Sequence, residues 1–326
     1  MFKAASLPSG LSAYSWRAIQ LDDIPALQEM LMAASQVDRT EGAPSEGHLR
    51  SVLGMLGQQV DKNTLLAIAE DGTVAAAVFM IIPPGEDERL AMFEGSVAVN
   101  HRGKGIGSYL LQRVEARARE EFGSPEDGVP QLIRTSCTRH QADRIRLFEL
   151  HGFEALRYSY KMRRNLSQPL QKKPLPSGLN WVQWDPTLDL PLMDAFNEAF
   201  SKQWGLQRMN EETWRTFFTG VPQFRSDLTY MAMSDDAIVG FCINWVEEAV
   251  ESKEGWIEAI GVIPSWRGRG IASALLNNAL VLFQAEGLER AALDVDTQNP
   301  TGALRLYEKH GFEVARETIH FGKKLI

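Results

Sequence analysis

The chain has 326 residues, 44% of them hydrophobic and 23% charged, and a formal net charge of −8. That composition excludes disordered and fibrous classes and leaves room for two domains, while the acidic balance argues against nucleic acid or an anionic membrane as a partner. Two cysteines, Cys137 and Cys242, make no disulfide framework and lack the neighbours of a zinc site, so the expectation is a reducing compartment and no metal.

The opening "MFKAASLPSG" has no apolar core of signal-peptide type, and the longest apolar run, "VAAAVFMII" at 74–82, is too short to span a bilayer. The expected location is cytoplasmic. An amphipathic helix comes first ("DDIPALQEMLMAA"), then a mostly helical polar segment. A hairpin turns at Asp71-Gly72, and the strand "AMFEGSVAV" follows it. That strand enters "NHRGKGIGSYLL" (100–111), where a small-residue turn leads into a helix. A further strand ("LIRTSCT"), a short helix ending at Gly152 and a closing strand complete the half.

The same order then repeats. "LPLMDAFNEAF" is the amphipathic helix, the hairpin turns at Asp235-Asp236, and "GWIEAIGVI" enters "SWRGRGIASALL" (265–276). Arg102 falls on Arg267, 165 positions later, and "RLFELHGFE" (146–154) answers "RLYEKHGFE" (305–313), 159 positions later. Two matches in order at nearly one offset indicate a duplicated domain. Between the copies, "NLSQPLQKKPLPSGLN" has three prolines and no apolar period, which reads as a linker. The expected domains are 1–168 and 179–326, joined by residues 169–178. The expected fold class is α/β in the mixed, α+β sense, each domain a mostly antiparallel twisted sheet flanked by helices.

A strand that enters a helix through glycines lets backbone N–H groups approach a ligand, and the helix N-terminus favours an anion such as phosphate. Basic residues stand beside it in both copies: Arg267 and Arg269, or Arg102 and Lys104. The plainer alternative is a tight connection that uses glycine only for its backbone freedom. Neither copy has the spacing of a P-loop or of a dinucleotide fingerprint.

The strings "VIPSWRGRGIA" and "VAVNHRGKGIG" resemble the [QR]-x-x-G-x-[GA] signature of the GNAT superfamily of N-acetyltransferases, in a tandem two-domain arrangement. The resemblance implies acetyl-CoA as co-substrate and an amine, small-molecule or peptide, as acceptor. It implies that backbone groups of Ile260, Gly261 and Val262 pair with the pantetheine arm and acetyl carbonyl, and that Arg267, Gly268, Arg269, Gly270, Ile271, Ala272 and Ser273 cradle the diphosphate. The N-terminal counterparts are Val97, Val99, Arg102, Gly103, Lys104, Gly105, Ile106, Gly107 and Ser108.

Tyr307 sits where the family often has the acid that protonates the thiolate, whereas the first copy has Phe148 there, which has no proton to give. Asn299 lies on the approach to the same helix, one residue farther from Tyr307 than the commoner family spacing, as a cofactor contact. Glu258 is the candidate base. Glu94 stands eight residues before Arg102, against nine for Glu258 before Arg267, so alternation turns it to the other face unless a bulge restores register. Ordinary packing for Tyr307 and a surface carboxylate for Glu258 are the competing readings. The expectation is a catalytic C-terminal half and an N-terminal half degenerate in catalysis.

Glu247, Glu248, Glu251 and Glu254 form an acidic run that either attracts a cationic acceptor or is a solvated hairpin. Trp204, in "FSKQWG", is either an acceptor-pocket wall or core. A CoA-binding regulatory module, a protein acetyltransferase and a small-molecule acetyltransferase acting on a sugar–cysteine conjugate all remain open at this level.

Overall fold

The structure, a computed structural model, describes residues 7–40, 42–83, 88–124, 128–170, 173–206, 208–246 and 253–325. It divides into two compact units, one of Met1–Tyr158 with Thr318–Ile326, the other of Ser159–Glu317.

In chain order the first half supplies β1 (Ser15–Arg17), α1 (Ile24–Asp38), α2 (Glu46–Leu56), α3 (Val60–Asn63), β2 (Thr64–Ile68), β3 (Val74–Ile81), β4 (Arg89–Val97), α4 (Ile106–Phe122), β5 (Gln131–Thr138), α5 (Ala142–Leu150) and β6 (Glu154–Asn165). The second half supplies β7 (Asn180–Gln183), α6 (Asp189–Ala199), α7 (Glu211–Trp214), β8 (Tyr230–Ser234), β9 (Ala237–Val246), β10 (Glu254–Val262), α8 (Ile271–Ala285), β11 (Arg290–Asp296), α9 (Ala303–Lys309) and β12 (Glu313–Lys324).

In the first unit β1 to β4 pair antiparallel in order, β4 runs parallel to β5, and Thr318–Lys324 of β12 closes the sheet against β5. In the second, β7 to β10 pair antiparallel, β10 runs parallel to β11, and Ser159–Asn165 of β6 closes the sheet against β11. Each unit is thus a mixed sheet whose last strand comes from the far end of the other copy's sequence. The segment read as a linker also packs: Leu170 and Leu175 lie against the core of the second unit.

The middle strands are mostly apolar because helices cover both faces. In β9, Phe241 and Ile243 face a core with Phe196, Trp214 and Phe218, while Cys242 faces one with Leu275, Leu276 and Tyr307. Both cysteines are free and buried. Helix α8 presents Ile271, Leu275 and Ala279 at i, i+4 spacing to that second face. Among the described residues no helix is long and apolar enough to cross a membrane.

Close packing leaves no room at some glycines. A Cβ on Gly255 in β10 would fall within 2.6–2.7 Å of three ring atoms of Phe283, which is fully buried. Gly255→Ala is expected to lose about 1–3 kcal/mol, while Gly54→Ala, in α2 with open space around it, gains about 0.5–1 kcal/mol. Urea unfolding of the two variants checks both signs.

Candidate active site

In the second unit β10 and β11 hydrogen-bond as parallel neighbours only from Glu254↔Arg290 to Trp256↔Ala292, after which they part. β10 stays paired to β9 on its other edge through Val262↔Gly240. One edge of Ile257–Val262 therefore faces a gap, and the gap opens into a cavity of about 810 Å³. Its lining includes Glu258, Ile260, Gly261, Val262, Arg267, Gly268, Gly270, Ile271, Ala272, Ser273, Asn299 and Tyr307. Residues separated by up to 49 positions meet on one hollow.

The glycine turn carries the geometry an anion cradle needs. Gly268 and Gly270 have φ of 77° and 83°, and a Cβ on either would meet no atom within 4 Å. Since both border the cavity, side chains there would project into space that the bare backbone leaves open beside the N-terminus of α8. A diphosphate fits this arrangement.

The arginines of the motif are engaged by neighbouring groups. Arg267 donates through Nε to the Val262 carbonyl (3.1 Å) and through Nη2 to the Ala199 carbonyl (2.6 Å), tying the end of β10 to the end of α6. Arg102 does the same in the first unit, with Nε on the Val97 carbonyl (3.1 Å) and a two-pronged ion pair to Asp38 on α1 (2.6 and 2.9 Å). Arg269 lies over the Trp266 ring, 4.4 Å from its centroid, and is not among the lining residues.

Glu258 occupies a β-bulge: Ile257 pairs with Asn244 and Ala259 with Ile243, leaving Glu258 as the extra residue. No register shift occurs in β4 against β3. Counting back from Val262 and Val97, Glu94 therefore answers Ala259, and the one-residue offset between the copies is this bulge. Trp256 Nε1 donates to Glu258 Oε2 at 2.8 Å. Burial pushes the Glu258 carboxyl up to about 7; the Trp256 hydrogen bond opposes this and the Asp294 charge adds to it. Glu94 instead meets Arg144 of α5 (3.3 Å) and the Ser136 hydroxyl (3.4 Å).

Tyr307 is buried, and that burial raises its phenol above the ordinary value, so it stays protonated at neutral pH. Its counterpart Phe148 fills a cluster with Phe93, Phe153 and Phe321. Beside it Leu147 presses on the first turn of α4, where a Cβ on Gly107 would lie 2.8 Å from its Cδ2. Gly103 and Gly105 keep positive φ and open surroundings, as in the second unit. Lys104, Ile106, Ser108, Val97 and Val99 lie along the same strand-to-helix connection.

Asn299 lines the cavity, but its Oδ1 accepts from the Thr301 amide and hydroxyl (2.9 and 2.6 Å) and its Nδ2 faces Gln203 Oε1 (3.5 Å). From "FSKQWG", Phe200, Lys202 and Gln203 reach the cavity and Trp204 is not among its lining residues. Of the acidic run, Glu247, Glu248 and Glu251 fall outside the described residues. Glu254 is ion-paired with Arg163 (2.6 Å) and Lys161 (3.3 Å). Asp294 and Trp256, which act on Glu258 in addition to its burial, carried no distinguishing signal in the sequence. Among the described residues no group of three or more His, Cys, Asp or Glu side chains is placed to hold a metal.

A central strand that parts from its parallel neighbour and runs through a glycine turn into a helix is the arrangement of an acyl-CoA-dependent N-acyltransferase, here present in tandem. The chain belongs to the Acetyltransferase (GNAT) family, which it matches over residues 25–153 and 190–312. It is an N-acetyltransferase dependent on acetyl-CoA. It is 28% identical to a mycothiol acetyltransferase of Rothia mucilaginosa, over 76% of this chain and 75% of that one. It is 26% identical to a mycothiol acetyltransferase of Thermobispora bispora, over 90% and 95%. A GCN5-related N-acetyltransferase from Sphaerobacter thermophilus superposes with a TM-score of 0.78 at 26% identity, covering 98% and 97% of the two chains. A tandem GNAT protein from the clavulanic acid biosynthesis pathway shares the fold, with a TM-score of 0.71 at 13% identity over 95% and 98%.

The raised Glu258 carboxyl has a stability consequence. Between its ordinary 4.5 and about 7 the folded chain keeps a proton that the unfolded chain has released, so this group lowers stability as pH rises through that window. Glu258→Gln should therefore gain stability relative to the parent between about pH 5 and about pH 8. Urea midpoints at both values check this; an equal difference at the two contradicts it.

Proposed function

We propose that the second unit is the catalyst and moves an acetyl group from acetyl-CoA to the primary amine of a small molecule. The observation that carries this reading is that Glu258, the free edge of Ile260–Val262, the Gly268–Ser273 turn and Tyr307 all border one cavity. The bound thioester supplies the activated acetyl group. Amides of Gly268 to Ser273 hold its diphosphate, and the β10 edge aligns the pantetheine arm and offers an N–H to the carbonyl oxygen where charge develops.

Glu258 takes the proton of the incoming ammonium. A carboxyl poised near 7 is half ionised at neutral pH, and the Trp256 hydrogen bond fixes its orientation. Tyr307 gives a proton to the departing thiolate. The burial that raises the phenol raises a thiolate beside it in the same way, so the two stay matched. In the first unit Phe148 replaces the acid, Arg144 engages Glu94, and Leu147 crowds the helix start. That unit binds without turnover. The names of the two relatives make an amine of the mycothiol-precursor type the acceptor to test first.

Acetyl transfer is followed by thiol release. Tyr307→Phe is expected to lower kcat about 10²-fold, while Phe148→Tyr leaves it unchanged; the reverse pattern would move catalysis to the first unit. In the parent, kcat/KM rises with pH through a limb near 7 set by Glu258. In Glu258→Gln that limb disappears and the rate falls about 10²-fold or more. A retained limb near 7 contradicts the assignment.

A further inference from the structure

The first turn of α8 has a cation that neither glycine nor arginine of the motif provides. Lys173 Nζ, from the proline-rich segment, donates to Ser273 Oγ at 2.9 Å and lies 3.4 Å from His310 Nε2. His310 Nε2 is in turn 2.9 Å from Ser273 Oγ, and Nδ1 is 2.8 Å from the Leu306 carbonyl. A carbonyl only accepts, so Nδ1 carries the ring hydrogen and Nε2 is the acceptor facing Ser273. Burial lowers the His310 pKa and the charges acting on it, Lys173, Arg164 and Lys309, lower it further; all three are cations. The Arg164 guanidinium also donates to the His310 carbonyl.

This is an unfavourable place for positive charge. The N-terminus of a 15-residue helix is its positive end, and a lysine there is repelled by the helix as well as by its neighbours. An anion bound at the turn reverses the sign of that interaction. The duplicated copy supplies a control. Ser108 and His151 stand in the corresponding places, but the charges acting on His151 are Lys323 and Glu115, which pair with each other at 2.5 Å. The charges acting on His310 include no anion among the described residues, and Ser273 lines the cavity of the same unit.

We propose that Lys173 is a phosphate-binding residue of the cofactor site, so that the proline-rich segment forms part of the site and is more than a tether. The proposal rests on acetyl-CoA occupying the second unit. The group recognised is a phosphate of CoA, either the diphosphate or the 3′-phosphate.

Binding of CoA and dephospho-CoA is measured by calorimetry for the parent, Lys173→Met and Lys173→Arg, at low and at high salt. Lys173→Met is expected to weaken CoA about tenfold at low salt, with a smaller loss at high salt. Lys173→Arg stays within about threefold of the parent, because it keeps the charge. The thermal midpoint without ligand is expected to be no lower in Lys173→Met than in the parent, because the substitution relieves the repulsion at the helix start, and the same in Lys173→Arg. An equal loss for dephospho-CoA puts Lys173 on the diphosphate; a loss confined to CoA puts it on the 3′-phosphate. Unchanged affinity in Lys173→Met, or a loss that is independent of salt and shared by Lys173→Arg, overturns the proposal and leaves the cofactor site intact. Failure of the parent itself to bind CoA overturns the cofactor reading and this proposal with it.

Discussion

The parallel contact between β10 and β11 lasts for three residue pairs and then fails. Parallel strands in a sheet ordinarily continue their ladder, because buried backbone N–H and C=O groups need partners. Here β10 remains paired on its other side to β9 through Val262↔Gly240, which holds the edge that parts from β11. An edge held in this way, with hydrogen-bonding groups aimed at a gap, suits an extended, amide-containing chain. The bulge at Glu258 places a carboxylate beside the same space, and the glycine turn at the strand's end, with positive φ and open surroundings, borders it one step farther on. The remaining architecture holds this edge in place, including the Arg267 tie to α6 and the Phe241 ring that packs where a Cβ on Gly261 would stand.

The first unit repeats the parting of strands, with β4 and β5 paired from Arg89↔Gln131 to Met92↔Arg134, and it repeats the arginine tie. What differs is chemistry. The bulge is absent, an aromatic cluster takes the place of the phenol, and leucine fills space beside the helix start. The elements that make the fold recur in both copies, while the bulge and the Tyr307 phenol have no counterpart in the first.

Much of this was legible in the residues. The offset between the two glycine turns revealed the duplication, Tyr307 against Phe148 set the two halves apart, and the one-residue difference before the arginines turned Glu94 to the other face, with a bulge as the exception; the bulge lies in the other copy, at Glu258. Long-range contacts were not legible. The partners of Arg267, Val262 and Ala199, offer only backbone carbonyls, which leave no trace in residue type. The exchange of closing strands between the copies has no local signature, since Ser159–Asn165 and Thr318–Lys324 read equally well as ends of their own halves. Lys173 was hidden for a similar reason: a proline-rich stretch shows that a helix is excluded, and says nothing of what the side chains touch 100 residues away.

The central claim is that the β10 edge and the turn after it hold acetyl-CoA. Amide hydrogen exchange with and without CoA tests it most directly. Slower exchange on binding at Ile260–Val262 and at Gly268–Ser273 is the expected result. Unchanged exchange in both segments, with the ligand shown to be bound, would contradict it.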